Sequence, residues 1–493
     1  MSYGALDQTQ EISQDHAHAV DVKTSILNLT KADILPRPAL TRALTDNYFK
    51  HVHPFIPVVE ESDLYGPKPS ILLQQAVCLA GSLMQHDPAS VSFCLSQYEK
   101  VKTLIHLNHE SDKVTLLKSL CLLTCHSPLP TDRVTLDGPW QWLGMAIRLA
   151  VQLGLHKTST YEHQDSPGCL RRVFWHLIHS DRLSASCWGR PLALRRRDHD
   201  IPPLSELDFT TPGLQSQFFL QMIGLSETIG TIADISNSQS GPTEQDATAL
   251  VDGLCDWIRC LPKELHLYNS DNARLPFYCQ ASELHIIYFA AIILLQSLDR
   301  EHRRSSVAAS SLTAATCIAK LYEEIHCREE TVHLLHIHGF FCMVAAVPLI
   351  CFPHGSRQSE AEREEEVDII CSVLNKMRCR YGGSDLVLRK IRRLQQDMER
   401  DTGHGLPRDS STMLMTRRIR ERQRELFPYP SSFCSFTDSS TEIDPRNHTA
   451  EQAVMETERG PDFLSDNFLN LADILAMDYD CLDMGTGEGF GSQ

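Results

Sequence analysis

The stretch WQWLGMAIRLAVQLGLHK, residues 140–157, decides how the chain is read. Trp140, Leu143, Ile147, Val151 and Leu155 recur at i, i+3, i+7, i+11 and i+15, which gathers them on one face of an α-helix. Asp137 and Pro139 supply start signals ahead of that helix, and Gly154 stands at its end. The same grammar runs outward in both directions. RRVFWHLIHSDRLSASCWGRPLALRRRDHDIPPL, residues 171–204, predicts a helix over 168–188 that is closed by Gly189 and Pro191. Residues 198–208 then run as an extended or looped segment, because two prolines and the residue before them resist helix. Ile286 to Leu298 is apolar nearly all round, which predicts a buried helix. GFFCMVAAVPLICF, residues 339–352, reads as a buried helix broken at Pro348. A charged, exposed segment over 354–366 precedes one more helix over 367–381. Polar connectors fall at 236–246 and 301–311. No fixed-period repeat and no run of strict alternation appears, so the fold class is all-α. The divisions are a flexible N-terminal segment (1–39), a large multi-helix body (40–400), a disordered linker with a basic cluster (401–459) and an acidic-hydrophobic segment (460–493).

Composition narrows the function classes. The 493 residues carry 46 Lys+Arg against 63 Asp+Glu, a net charge of −17. That balance excludes a protein that grips nucleic acid across its whole surface, since such binding rests on neutralising phosphates. The 17 cysteines are scattered, odd in number and never spaced C-x-x-C. With an N-terminus lacking a basic and apolar leader, they predict free thiols in a reducing compartment. No apolar run reaches the ~20 residues of a membrane helix, so no membrane partner is expected. G-x-S-x-G, G-x-x-x-x-G-K-[ST] and H-E-x-x-H are all missing, and neither an enzyme nor a cofactor is expected.

Three stretches in order carry a resemblance: YFKHVHPFIPVVEESDL (48–64), the 140–157 stretch and the 171–204 stretch with its D-R-x-x-x-x-x-x-G-R-P pattern. This set resembles the fungal-specific transcription factor domain, the middle regulatory region of zinc binuclear cluster factors, and within it the cutinase-transcription-factor-like group. The likeness covers about 40–398. It implies an all-α regulatory domain and a nuclear regulator of metabolic genes, lipid and cutin use or biosynthetic clusters among them. The motif residues it singles out are His53, Pro54, Trp140, Gly154, His156, Asp181, Arg182, Gly189, Arg190 and Pro191. Two readings stand for them. They are architectural, with His53-Pro54 ending the first helix and Asp181 and Arg182 tied to Arg190, or they line an effector pocket. The family's six-cysteine zinc cluster has no counterpart in this sequence, which has no cysteine before Cys78. Direct DNA binding is therefore doubtful. The expectation is action through a DNA-bound partner or a dimer, with a truncated zinc-cluster activator and a non-transcriptional scaffold as alternatives.

Histidine and cysteine clusters are weak metal candidates. His333, His336 and His338 do not share one helical face; Cys121, Cys125 and His126 lack a fourth ligand; His51 and His53 sit beside packing residues. No metal is expected. Two basic runs remain. Arg195, Arg196 and Arg197 follow the G-R-P turn, and Arg417, Arg418, Arg420, Arg422 and Arg424 form RRIRERQR. The second reads either as a nuclear import signal or as a solvated helix paired internally through Glu421 and Glu425. From 460 to 493 there is no Lys or Arg, and seven acids interleave with apolar residues, which reads either as an activation domain or as a C-terminal helix packed on the body. Phe468, Leu471, Leu475 and Tyr479 fall on one helical face, suited to the groove of a co-activator or of the transcription machinery.

Overall fold

A computed structural model describes residues 21–434 except 88–89, 129–134, 163, 165, 239–240, 300–307, 353–356 and 401–413. A helix over 21–30 (α1) and α2 (Pro38–Asn47) lead into a π-helical turn, Tyr48–Val52. Then come α3 (Glu61–Tyr65), α4 (Ile71–Ser82), α5 (Ser90–His106), α6 (Lys113–Leu123), α7 (Pro139–Gln152), α8 (Pro167–Trp188) and α9 (Leu214–Asn237). The second half holds α10 (Glu244–Cys260), α11 (Cys279–Gln296), α12 (Ala309–Cys327), α13 (His338–Cys351), α14 (Arg357–Met377), α15 (Gly382–Arg400), α16 (Leu414–Glu421) and α17 (Gln423–Leu426). Among the described residues the only β-type pairing is an isolated bridge between Tyr268 and Arg274, so the all-α fold class holds.

Local chemistry places the helix starts. Ser70 and Asp112 accept the backbone N–H of Leu73 and Thr115 at α4 and α6, and Thr243 with Asp246 forms a capping box at α10. Helix α11 is the hub. Every residue from Ala281 to Gln296 is buried, and α9, α12 and α13 pack around it. By length and composition it is apolar enough to cross a membrane, but here its apolar surface is covered by protein.

Four expectations change. The buried face of α7 is Trp142, Leu143, Ala146, Ile147 and Ala150, while Trp140 and Val151 are 43% and 39% exposed. At ~100° per residue the inward face is turned by about 90° from the predicted one. The buried Trp142 indole, whose Nε1 donates to Tyr98 Oη at 3.1 Å, fixes that rotation. Helix α13 runs on through Pro348, because neighbours bury it on all sides and the proline lies only three residues from its end. The charged segment is helical from Arg357 and forms the first turns of α14. Residues 414–434 are not a loose linker: Met415, Ile419, Leu426, Phe427, Phe433 and Cys434 enter the core. The segment 460–493, with Phe468, Leu471, Leu475 and Tyr479, lies outside the described residues.

Candidate functional site

The motif residues of α8 and its exit form one unit. Gly189 takes φ 61°, a left-handed value that a glycine adopts at little cost, and Arg190 N donates back to Ala185 O at 3.2 Å. The chain then turns through Pro191 into an arm, residues 190–200. Asp181 holds that arm: its Oδ2 accepts the N–H of Ala193 at 2.8 Å and of Leu194 at 2.9 Å. Burial lifts the Asp181 carboxyl to about 6, with those two N–H donors opposing the rise. Arg182 turns to Glu227 at 3.4 Å, and burial lowers its basicity. The polar groups of α8 face the arm's backbone and α9, and the Arg190 guanidinium lies over the Trp140 ring at 4.3 Å and the Trp188 ring at 5.2 Å.

The far end of the arm is pinned on α7. Gly154 has φ 76°, closing the helix, and Thr160 Oγ1 donates to its carbonyl at 2.7 Å. His156 contributes its carbonyl oxygen, which accepts Asp200 N at 3.3 Å, and Asp200 Oδ1 accepts Thr158 N at 2.6 Å. Leu194, His199 and Ile201 point inward, while the side chains of Arg195, Arg196 and Arg197 face solvent.

His53 and Pro54 belong to a loop held against the N-terminal half of α8. His53 N donates to Tyr48 O at 2.8 Å, completing the π-helical turn. Burial, then the nearby Arg172, pushes the imidazole down to about 4. The residues that join this loop to α8 were not singled out from sequence. Arg172 Nε donates to Pro57 O at 2.9 Å, and its other nitrogens reach Asp208 O and Glu60. Arg171 pairs with Asp208 at 2.8 Å and donates to Pro203 O at 2.8 Å. The available signal was two adjacent arginines opening an otherwise apolar helix.

The histidines of 333–338 point to three places. His333 bonds Glu330 at 2.5 Å and stacks on His51 at 3.6 Å; His336 lies near Tyr381; His338 sits between Tyr322 Oη at 3.0 Å and Glu283 at 2.9 Å. Cys125 is pushed up to about 12 and His126 down to about 4, both by burial. Among the described residues no three His, Cys, Asp or Glu side chains are arranged to hold a metal ion.

The basic run 417–424 lies on α16 and α17 and is paired. Arg417 and Arg418 reach Glu244 at 2.8 and 3.4 Å, Arg422 reaches Asp252 at 2.9 Å, and Arg418 and Arg422 meet Glu421 and Glu425. Asp299 caps α16 by accepting Met415 N and Thr416 N at 2.9 and 3.0 Å. Arg420 and Arg424 are exposed. Internal pairing through Glu421 and Glu425 is the geometry seen, supplemented by acids from α10.

Comparison with known proteins names this arrangement. The model of the fungal specific transcription factor domain matches residues 45–247. An acetamidase regulatory protein of Emericella nidulans is 30% identical over 420 residues, 78% of this chain and 51% of its own length. One from Aspergillus fumigatus is 30% identical over 352 residues, 65% of this chain and 44% of its own length. Cutinase transcription factor 1 alpha of Fusarium vanettenii is 29% identical over 305 residues, 56% and 33% respectively. The chain thus spans about half or less of the length of these relatives. Residues 45–247 thus form a fungal specific transcription factor domain, and the chain is similar over that region and beyond it to fungal proteins named as transcription or regulatory factors.

Proposed function

We propose that the chain is a nuclear transcription regulator of fungal metabolic or biosynthetic-cluster genes and not an enzyme. The observation that carries this is the domain match over 45–247 together with relatives named as transcription or regulatory factors. The buried chemistry agrees. His176 and His179 are held neutral by burial, down to about 4 and about 3, and buried thiols such as Cys78 are pushed up to about 12, which suits packing over catalysis. Promoter recognition is assigned to a DNA-bound partner or a dimer, with a zinc cluster on a longer form of the chain as the alternative. The segment 460–493 is assigned contact with a co-activator or the transcription machinery.

Chromatin immunoprecipitation of the tagged full chain tests this. Enrichment at discrete promoters is expected, with loss of that enrichment when the DNA-bound partner is deleted. Absence of promoter enrichment, with transcripts unchanged on deletion of the gene, overturns it in favour of a non-transcriptional scaffold. Fusion of 460–493 to a foreign DNA-binding domain tests the finer assignment, and background reporter activity removes it.

A further inference from the structure

The solvent face of α7 and the arm beside it combine apolar and positive groups on an otherwise acidic molecule. Trp140, Met145 and Val151 are 43%, 39% and 39% exposed along α7. Arg148 folds back along the helix, its Nη1 lying 3.3 Å from where a Cβ would stand on Gly144. Arg190 bridges the rings of Trp140 and Trp188, and the exposed Arg195, Arg196 and Arg197 of the arm add positive charge that Asp234 and Asp198, at 3.9 Å from Arg195 and Arg197 respectively, offset only in part. Arg190 and Lys390 of α15 both lie within electrostatic reach of Cys187 at the end of α8, so α15 adds positive charge to the same region.

We propose that this strip is a docking surface for the acidic-hydrophobic segment 460–493 of the same chain. Charge complementarity selects the occupant. The segment carries seven acids and no Lys or Arg, with Phe463, Phe468, Leu471, Leu475 and Tyr479 interleaved. The rest of the chain is itself acidic, since −17 less the segment's −7 leaves −10, and an arginine-rich strip is the complement the segment lacks elsewhere in that balance. Apolar contact with Trp140, Met145 and Val151 then adds to the long-range attraction. Size agrees. The stretch from Trp140 to Val151 is about 17 Å long at 1.5 Å per residue, and Phe468 to Tyr479 covers a similar length when helical. Reach is sufficient, because the 33 residues between Cys434 and Phe468 span up to ~110 Å. Docking competes with any co-activator for the same apolar residues, and it stands whether or not the segment activates transcription.

A photoreactive benzoylphenylalanine in place of Phe468, in the full chain, tests the contact. After irradiation, adducts within one chain are expected on α7 or residues 188–197, read by mass spectrometry of the monomer band. Arg148→Glu with Arg197→Glu, both exposed, is expected to cut that yield by roughly fivefold or more, as does 0.5 M salt, with the thermal midpoint unmoved. A second variant, Leu471→Ala with Leu475→Ala, changes only the segment and lowers the yield without touching the body. Adducts scattered over the body, adducts indifferent to charge reversal, or adducts found only between two copies each overturn the proposal.

Discussion

The arginines of α16 and α17 and those of the arm at 190–200 are similar in number and differ in how closely acids hold them. On α16 and α17, Arg417, Arg418 and Arg422 reach Glu244 and Asp252 of α10, so the charges themselves help hold the segment. In the arm the holding is done by backbone, through Asp181, His156 and Asp200, and the arginine contacts are longer: Arg195 and Arg197 stand 3.9 Å from Asp234 and Asp198, Arg196 reaches His199 O at 3.4 Å, and Arg190 lies over indole rings. Arginine density alone does not predict availability. What predicts it is whether apolar residues such as Met415 and Ile419, spaced four apart, draw the same helix onto an acidic neighbour.

Breaking the α16 anchor is expected to have the largest effect. Ile419 is fully buried, and Ile419→Asp places a carboxylate in the core at a cost above ~4 kcal/mol, so the segment detaches. Trypsin should then cut after Arg417, Arg420 or Arg424 in the variant and leave the native chain uncut there. Ile419→Leu, which keeps volume, should stay resistant. Cutting in both proteins would show that the segment is held by something other than this contact.

This contrast also shows what could be read in the sequence. Helix positions, the stop at Gly189 and the buried α11 follow from local patterns, because apolar spacing and end signals are encoded within a few residues. The rotation of α7 about its axis is not legible, because five apolar residues at helical spacing do not say which edge of the stripe meets the core. Trp142, outside that list, decided it from 44 residues away through Tyr98. The segment 414–434 was misjudged for the same reason. Its apolar residues are few, and their partners, Tyr288, Asp299 and Lys320, lie more than 100 positions earlier. The link from Arg172 to Pro57 has a similar separation. Long-range partners carry no local period.

The second effect falls on the arm's anchor. Asp181→Ala removes the acceptor of two N–H groups and is expected to cost about 2–4 kcal/mol, read from chemical denaturation. Asp181→Asn sharpens the test through pH. The folded carboxyl titrates at about 6 and an unfolded one near 3.8, so between those values the folded chain holds a proton that the unfolded chain has lost. Asp181 therefore withdraws up to ~3 kcal/mol of stability as pH rises through that window. The asparagine variant should lose this slope and gain on the native chain above pH 6. Identical pH profiles for the two proteins would place the ionisation elsewhere.

The electrostatic half of the α16 and α17 attachment comes next. Glu244→Lys with Asp252→Lys turns attraction into repulsion while leaving Met415 and Ile419 in place. Trypsin cleavage within 417–424 should accelerate less than in Ile419→Asp, and the acceleration should shrink as salt rises. An effect independent of salt would show that the ion pairs do not contribute. The same variant, in a fluorescent fusion, asks whether pairing limits nuclear import. Unchanged accumulation, in it and in a chain with all five arginines replaced by alanine, removes the import role.

The smallest effect is expected at the aromatic end of the arm. Arg190→Ala removes a guanidinium that covers Trp140 and Trp188 at a half-exposed site, worth about 0.5–1 kcal/mol. The thermal midpoint should move little. Because the Trp140 ring loses its cover, acrylamide should quench tryptophan fluorescence more strongly than in the native chain. Arg190→Lys should fall between the two, since an ammonium keeps the charge but lacks the plane that lies flat on an indole. If the midpoint instead falls as far as in Asp181→Ala, Arg190 is part of what holds the arm. Its exposure would then be incidental, and the contrast between the two arginine segments would reduce to a difference in which partner each arginine grips.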